Sequence, residues 1–500
     1  MNRGIGIVTT RYGKMQGVEE NGITSFRGVP YAKPPIGELR WRAPEKPEPW
    51  EGVRDCTKFG KIPVQLHGQC AYEAITLNEQ SEDCLYLNIW TPAQNPGERL
   101  PVIFWIHGGA FLGGLGHDSL YLGNPMASRG VIEVTINYRL GAIGFLAHPE
   151  LSAENARGVS GNYGILDQIQ ALRWVKENIA AFGGDPERIT VAGQSAGGMS
   201  VCTLLTSPLT AGLISGGIIE SGGPTKGRGG SLKSCEEFGE KFMAAAGCSS
   251  IEELRKKDAK ELISMQVGEG RMPFQPNVDG WVLPMTPYEA FTTGNIARVP
   301  VMFGCNTEEG MFVMARGSYE EKLAAIREQL GEDYDEFAAL YPLSEDKIDR
   351  SLMEAGRDAG FANLRRVAKI MEDVHPAPVY QYFFAQPMEK ADGEYIGVTH
   401  SAELYYVFDN LQCVGRCNLG PEMWEPKLDH DAYELAHTMC SYWAEFTKKG
   451  DPNRPGLPAW PAYDSESQCH MYLKGGEIIA RPTQDPERID FIDRFVAKNA

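Results

Sequence analysis

Short apolar runs rich in β-branched and aromatic residues recur along this chain, each followed by a glycine turn and then by a helical pattern. Pro101-Val102-Ile103-Phe104-Trp105-Ile106 is one such run; Val131 to Asn137, Ile189 to Ala192, Val299 to Phe303 and Val379 to Phe384 are others. Runs this short without polar alternation predict strands buried on both faces, the rhythm of a mainly parallel α/β sheet covered by helices. Between the second and third runs, Ile165, Leu166, Ile169, Leu172, Val175 and Ile179 fall three and four apart, which predicts a core-facing helix. Asp185-Pro186 then predicts a turn before the third strand, and the glycine-rich segment Gly222 to Gly230 a surface loop. The charged stretch from Ser318 to Arg350 reads as solvated helices, a cap region over the sheet.

Composition narrows the function classes. Apolar residues are 42% of the 500, enough for a packed core, and no repeat or linker divides the chain, so residues 1–500 are expected to form a single domain. The formal charge of −18 repels phosphate backbones and anionic lipid, which argues against nucleic acid and membrane partners. Eleven cysteines, an odd number spread along a long chain, read mostly as free thiols. Met1 to Gly6 opens no apolar stretch of signal-peptide length, and no run of about 18 apolar residues occurs. The expectation is a cytoplasmic protein.

The candidate chemistry begins directly after the third predicted strand, in Gly193-Gln194-Ser195-Ala196-Gly197. A bare GxSxG is often only a glycine turn with an incidental serine. Between a strand and a helix it becomes a sharp turn that lifts the serine hydroxyl above the sheet, and Met199 to Leu205 reads as that helix. The first turn of such a helix directs N–H groups at whatever Ser195 attacks.

A serine needs a base to take its proton and an acid to orient the base, and in this architecture acid and histidine follow the serine in that order. Of the late histidines, His375 precedes its strand, His437 lies in a helical pattern with Leu435, Met439, Tyr442 and Phe446, and His430 and His470 follow no clear strand. His400, after the strand Val379 to Phe384, stands where catalytic groups of parallel sheets gather. For the acid, the strand at Val299 runs into Glu308-Glu309; side chains one apart seldom face the same way, so only one can serve, and the residues alone leave both open. His107-Gly108-Gly109-Ala110-Phe111, ending another strand, is a turn whose bare backbone can bring N–H donors to an oxyanion.

With these pieces in place the chain closely resembles the type B carboxylesterase/lipase family, a branch of the α/β-hydrolases. Phe182 to Gly197 is similar to that family's serine signature and Glu82-Asp83-Cys84-Leu85-Tyr86-Leu87-Asn88 to its second; Phe26 to Ala32, Asn137-Tyr138-Arg139, Gly161 to Gly164 and Gly450 to Asn453 add to the likeness. The resemblance implies an α/β-hydrolase fold with a central mostly parallel sheet, flanking helices and a helical cap. It implies a serine carboxylesterase acting on neutral or apolar esters through an acyl-enzyme, with Ser195, Glu309 and His400 as catalytic residues. Glu309 is preferred because the family's acid lies five residues after the glycine closing its strand and directly before another, as Gly304 and Gly310 bracket it. The same likeness puts the oxyanion donors at Gly109, Ala110 and Ala196, with Gly108 shaping the turn and Ser221 as a supporting buried serine.

Departures bear on substrate. Cys70 and Cys84 match a disulfide of exported relatives, but the segment between them lacks the tryptophan that cholinesterases use to stack on a quaternary ammonium. Gly270, Met272 and Phe274 match the acyl-pocket region, and glycine with flexible methionine there implies a roomy pocket. The implied partner is a small-molecule ester; no metal and no organic cofactor is called for. A lipase or amidase of this fold, or a non-catalytic binding protein built on it, are the rival readings.

Overall fold

The computed structural model describes residues 5–66, 80–227, 229–266, 274–309, 315–415, 424–483 and 485–499, without the side chain of Asn499. One eleven-stranded sheet organises them. In chain order its strands are β1 (Val18–Glu20), β2 (Ile23–Pro30), β3 (Tyr86–Thr91), β4 (Leu100–Ile106), β5 (Ile132–Ile136) and β6 (Gly184–Gln194). The second half contributes β7 (Gly216–Glu220), β8 (Val301–Asn306), β9 (Val379–Phe384), β10 (His470–Lys474) and β11 (Glu477–Arg481). Their order across the sheet is β11-β10-β9-β8-β7-β6-β4-β5-β3-β2-β1. Neighbours from β5 to β10 are parallel, and the flanks, β1-β2-β3 against β5 and β11 against β10, are antiparallel.

The helices that matter for the site are α1 (Tyr163–Asn178), α2 (Ala196–Thr206), α3 (Tyr319–Leu330), α4 (Tyr334–Leu340), α5 (Ile348–Val374), α6 (His430–Lys449) and α7 (Pro486–Asn499). They cover both faces. Alternate residues of β4 go to opposite cores: Val102, Phe104 and Ile106 join a cluster with α1, whereas Ile103 and Trp105 join one with Trp443 of α6. This two-sided burial explains why the central strands read as unbroken apolar runs.

The order β6-β4-β5 sends the chain outward from β4 to β5 and then back across it to β6. Connections leaving β4 and β6 therefore diverge, opening a crevice at their carboxyl ends where open α/β sheets place ligands.

Two predicted strands shift their ends, and the fourth also starts later, at Val301 rather than Val299. The third strand begins at Gly184 rather than after Asp185-Pro186; Leu100 pairs with Gly184 and Val102 with Ile189, so the intervening residues loop out as a bulge within the strand. Asp185 still makes its turn there, accepting the Glu187 N–H at 3.0 Å while Arg99 and Arg188 hold the carboxylate. The fourth strand runs past Phe303 through Gly304 to Asn306, because the bare Gly304 lies flat on Tyr382: a Cβ there would meet that ring at 2.4 Å. In the charged stretch, α3, α4 and the start of α5 form as expected, but α5 continues to Val374 and buries Phe361, Leu364 and Val367.

Candidate active site

β6 ends at Gln194, and the chain turns directly into α2 through Ser195, held at φ 57° and ψ −121°. A side chain in such a conformation costs about 1–3 kcal/mol, so the surroundings must impose it. Ser195 N–H donates to the Glu220 carbonyl at 2.8 Å, and Ser195 O accepts from Met199 N–H at 2.9 Å. Close approach explains the flanking glycines. A Cβ on Gly197 would lie 2.0 Å from Ile106 O, and one on Gly193 would lie 2.6 Å from the Gly197 carbonyl. The half-buried Ser195 thus stands at the crevice with α2 directly behind it.

The end of β4 forms the facing wall. A Cβ on Gly108 would fall 2.8 Å from Gln194 O and 3.2 Å from Ser195 Cβ, so this loop runs beside the serine. Gly109, Ala110 and Phe111 take φ values of 107°, 56° and 61°. A backbone of that kind can turn successive N–H groups toward an anion, and Ala196 adds the N–H at the start of α2. His107 anchors the turn from beneath: its Nδ1 lies 2.8 Å from Gly108 O and its ring stacks on Tyr138 at 4.5 Å. Burial pushes its pKa down to about 4, so this imidazole is neutral.

After β9 a two-stranded hairpin, Met388–Glu389 with Tyr395–Gly397, delivers the chain to His400. Its Nδ1 is in direct contact with Glu309 Oε2; the glutamate side chain is 8% exposed and the histidine 48%. Glu309 Oε1 accepts the Asn306 N–H at 2.7 Å. The carboxylate calls for the imidazole proton at Nδ1, which leaves a lone pair at Nε2, and Gln194 Nε2 lies 3.4 Å from that atom as its donor. Glu308 is engaged elsewhere, by the Tyr395 hydroxyl at Oε1 and by Val398 N–H at 3.0 Å at Oε2. The adjacent glutamates therefore diverge, and the one that meets the histidine is Glu309.

Four participants went unrecognised in the sequence: Glu403, Asn306, Gln194 and Glu220. Glu403 is fully buried, takes the Ser221 hydroxyl at 3.4 Å on one oxygen and the Asn306 side-chain amide on the other. Burial and then the nearby Glu309 charge raise its pKa to about 7. Glu220, at the end of β7, is also raised by burial and by Glu403, and accepts from Trp443 Nε1 at 2.7 Å. Glu403 is the residue before the short helix Leu404–Val407, and Ser401, at φ 72°, bends the chain between it and His400.

Gly270 and Met272 lie outside the described residues, and Phe274 is packed edge-on by Phe238 and Phe242 at 5.4 and 5.3 Å. An apolar cavity of about 40 Å³ opens beside Met199, Gly222, Gly223 and Leu283. Cys70 is likewise outside the described residues, while Cys84 is buried.

A parallel sheet with a serine turn at the switch point, facing a glycine loop and an acid–histidine pair, defines an α/β-hydrolase. The carboxylesterase family model matches residues 5–374 and 342–487. A para-nitrobenzyl esterase of Bacillus subtilis is 38% identical, aligned over 96% of this chain and 97% of its own, and a fumonisin B1 esterase of Sphingopyxis macrogoltabida is 35% identical over 93% and 85%. Among solved structures, a thermophilic para-nitrobenzyl esterase superposes with a TM-score of 0.83 at 35% identity, covering 97% of this chain and 99% of that one. The chain belongs to the carboxylesterase family and is a carboxylic-ester hydrolase.

Proposed function

We propose that the protein hydrolyses neutral or apolar carboxylic esters by way of an acyl-enzyme on Ser195. The carrying observation is the contact of Glu309 with His400 Nδ1, which turns Nε2 toward Gln194, the residue before the serine. His400 takes the hydroxyl proton as Ser195 attacks and returns it to the leaving alcohol, while Glu309 stabilises the imidazolium. The N–H groups of Gly109, Ala110 and Ala196 receive the oxyanion, with Gly108 leaving room for them. Water then repeats the two steps on the acyl-serine. The apolar cavity beside Met199 and Leu283 suits the acyl group, and the net charge of −18 disfavours anionic substrates.

A single domain belongs to this reading, supported by a sheet that draws strands from Val18 to Arg481. So does a cytoplasmic location: Cys56, Cys202, Cys305 and Cys440 are buried free thiols, as a reducing compartment keeps them. In the test of mechanism, para-nitrophenyl acetate gives a burst of nitrophenol equal to the enzyme present, and Ser195→Ala removes the burst and at least about 10⁴-fold of turnover. An alanine variant within tenfold of the parent, free of contaminating esterase, overturns it.

A further inference from the structure

A second cavity, of about 560 Å³, lies at the far edge of the sheet between α5, the β10–β11 hairpin and the loops that carry Glu308 and Val398. This is the volume of a small-molecule pocket, more than ten times that of the cavity beside Met199. Its chemistry follows from strand register. His470, Tyr472 and Lys474 alternate along β10 and so share one face, and Arg481 of β11 pairs directly with His470. That face is turned to the cavity, where all four are wall residues.

Phe361 of α5 and Phe383 of β9 flank the His470 ring at 4.9 and 5.7 Å, making an aromatic floor. His470 itself is 4% exposed, and its Nδ1 has no hydrogen-bond partner among the described residues. Burial and the neighbouring Arg481 hold its pKa down to about 4, so the ring presents a neutral polar edge rather than a charge.

The acids of the cavity are already engaged. Glu354 binds Arg350 and Arg488, each at 2.9 Å, Asp358 binds Arg357 at 2.7 Å, and Glu308 is held by Tyr395 and Val398. The cations of the hairpin are less committed. Among the described residues Lys474 makes no ion pair, and Arg481, stacked over Tyr472, reaches only Glu477 at 3.4 Å and has no partner at its Nε. Met353 and Tyr395 stand exposed at the mouth, apolar surface where water would otherwise be met by charge.

We propose that this cavity is a second ligand site that takes an amphipathic carboxylate, its anionic head at Lys474 and Arg481 and its aromatic or alkyl body over Phe361 and Phe383. An inorganic anion would leave the aromatic floor uncovered, and a neutral apolar molecule would leave the two cations and the His470 edge unanswered. The site is separate from the Ser195 crevice, yet Thr307 and Glu308 precede Glu309 and Val398 precedes His400 by two residues, so an occupant touches the loops that carry the acid–histidine pair.

The probe is 4-phenylbutanoate, titrated calorimetrically into the full chain, with 4-phenylbutanamide and inorganic phosphate as controls. The carboxylate is expected to bind at least about tenfold more tightly than either control, and Lys474→Glu to weaken it by at least about tenfold, the scale of losing one charge-assisted contact. Met353→Trp, which narrows the mouth without touching a charge, should weaken it as well. Both variants should keep the parental KM for para-nitrophenyl acetate, and the carboxylate should inhibit that reaction in a manner not relieved by substrate. Unchanged affinity in both variants, or purely competitive inhibition, places the carboxylate in the Ser195 crevice and overturns the proposal; phosphate binding as tightly as the carboxylate overturns its amphipathic part.

Discussion

The side-chain amide of Asn306 binds the buried carboxyl of Glu403, while the backbone N–H of Asn306 binds Glu309 at 2.7 Å. One residue at the end of β8 therefore holds two carboxyl groups, one against His400 and one behind it. Like charges held this close cannot both ionise freely, which is why Glu403 rises to about 7 through burial and the Glu309 charge.

The first prediction concerns this second carboxyl. Ionised Glu403 favours the His400 imidazolium and so raises the pH at which the base becomes available; glutamine never ionises. Glu403→Gln is therefore expected to move the acid limb of the kcat/KM profile to lower pH and to make it a single-proton step. A merely structural role would lower kcat at all pH values and leave the midpoint in place.

The two adjacent glutamates separate cleanly. Glu309→Gln takes the charge from Nδ1 and should cost about 10²–10⁴-fold in kcat, whereas Glu308→Gln weakens only the ties to Tyr395 and Val398 and should stay within about tenfold of the parent. The reverse order would show that the loop rearranges when substrate binds.

The serine turn tolerates no added atom at its second glycine. Gly197→Ala would drive a methyl group to within 2.0 Å of Ile106 O, main-chain atoms that cannot step aside, so a loss of about 3 kcal/mol or more is expected in urea unfolding. Gly97→Ala, where nothing lies within 4 Å, is the control and should change stability by under about 0.5 kcal/mol. Equal stability of the two variants would mean that α2 can slide away from β4.

How far the sequence foretold this site depends on what each residue answers to. Ser195 and the glycine turn at His107 directly follow strands with continuous apolar runs, so the pattern points to them, whereas His400 lies beyond a hairpin after β9 and was picked from the late histidines by its place after that strand. Glu309 could not be told from Glu308 by local physics, because the choice is made by partners 87 to 91 positions away, Tyr395 and His400. Six strands were not recognised, β1, β2, β3, β7, β10 and β11: Gly216–Glu220 opens on two glycines and has only two apolar side chains, and at the sheet edge His470–Lys474 and Glu477–Arg481 carry charges among their apolar residues, so their pairing is decided in three dimensions. Glu403 and Glu220 were missed for a related reason. A carboxyl reads as solvated until the tertiary structure buries it.

A last buried carboxyl lies outside the site. Glu133, the second residue of β5, is fully buried, and neither of its oxygens has a partner among the described residues. Burial raises its pKa well above the carboxylate range, so the folded chain keeps a proton that the unfolded chain gives up above about pH 4.3. Since the folded pKa is the higher one, the contribution of Glu133 to stability is greatest at low pH and is lost as pH climbs toward the folded value, by about 1.4 kcal/mol per unit. Glutamine has the same shape and no proton to lose. Glu133→Gln should accordingly match the parent near pH 4 and exceed it progressively toward pH 7.5 in urea unfolding. A stability difference that stays constant across that range would show that the Glu133 carboxyl ionises in the folded protein, and with it that a cation or water reaches its buried position in β5.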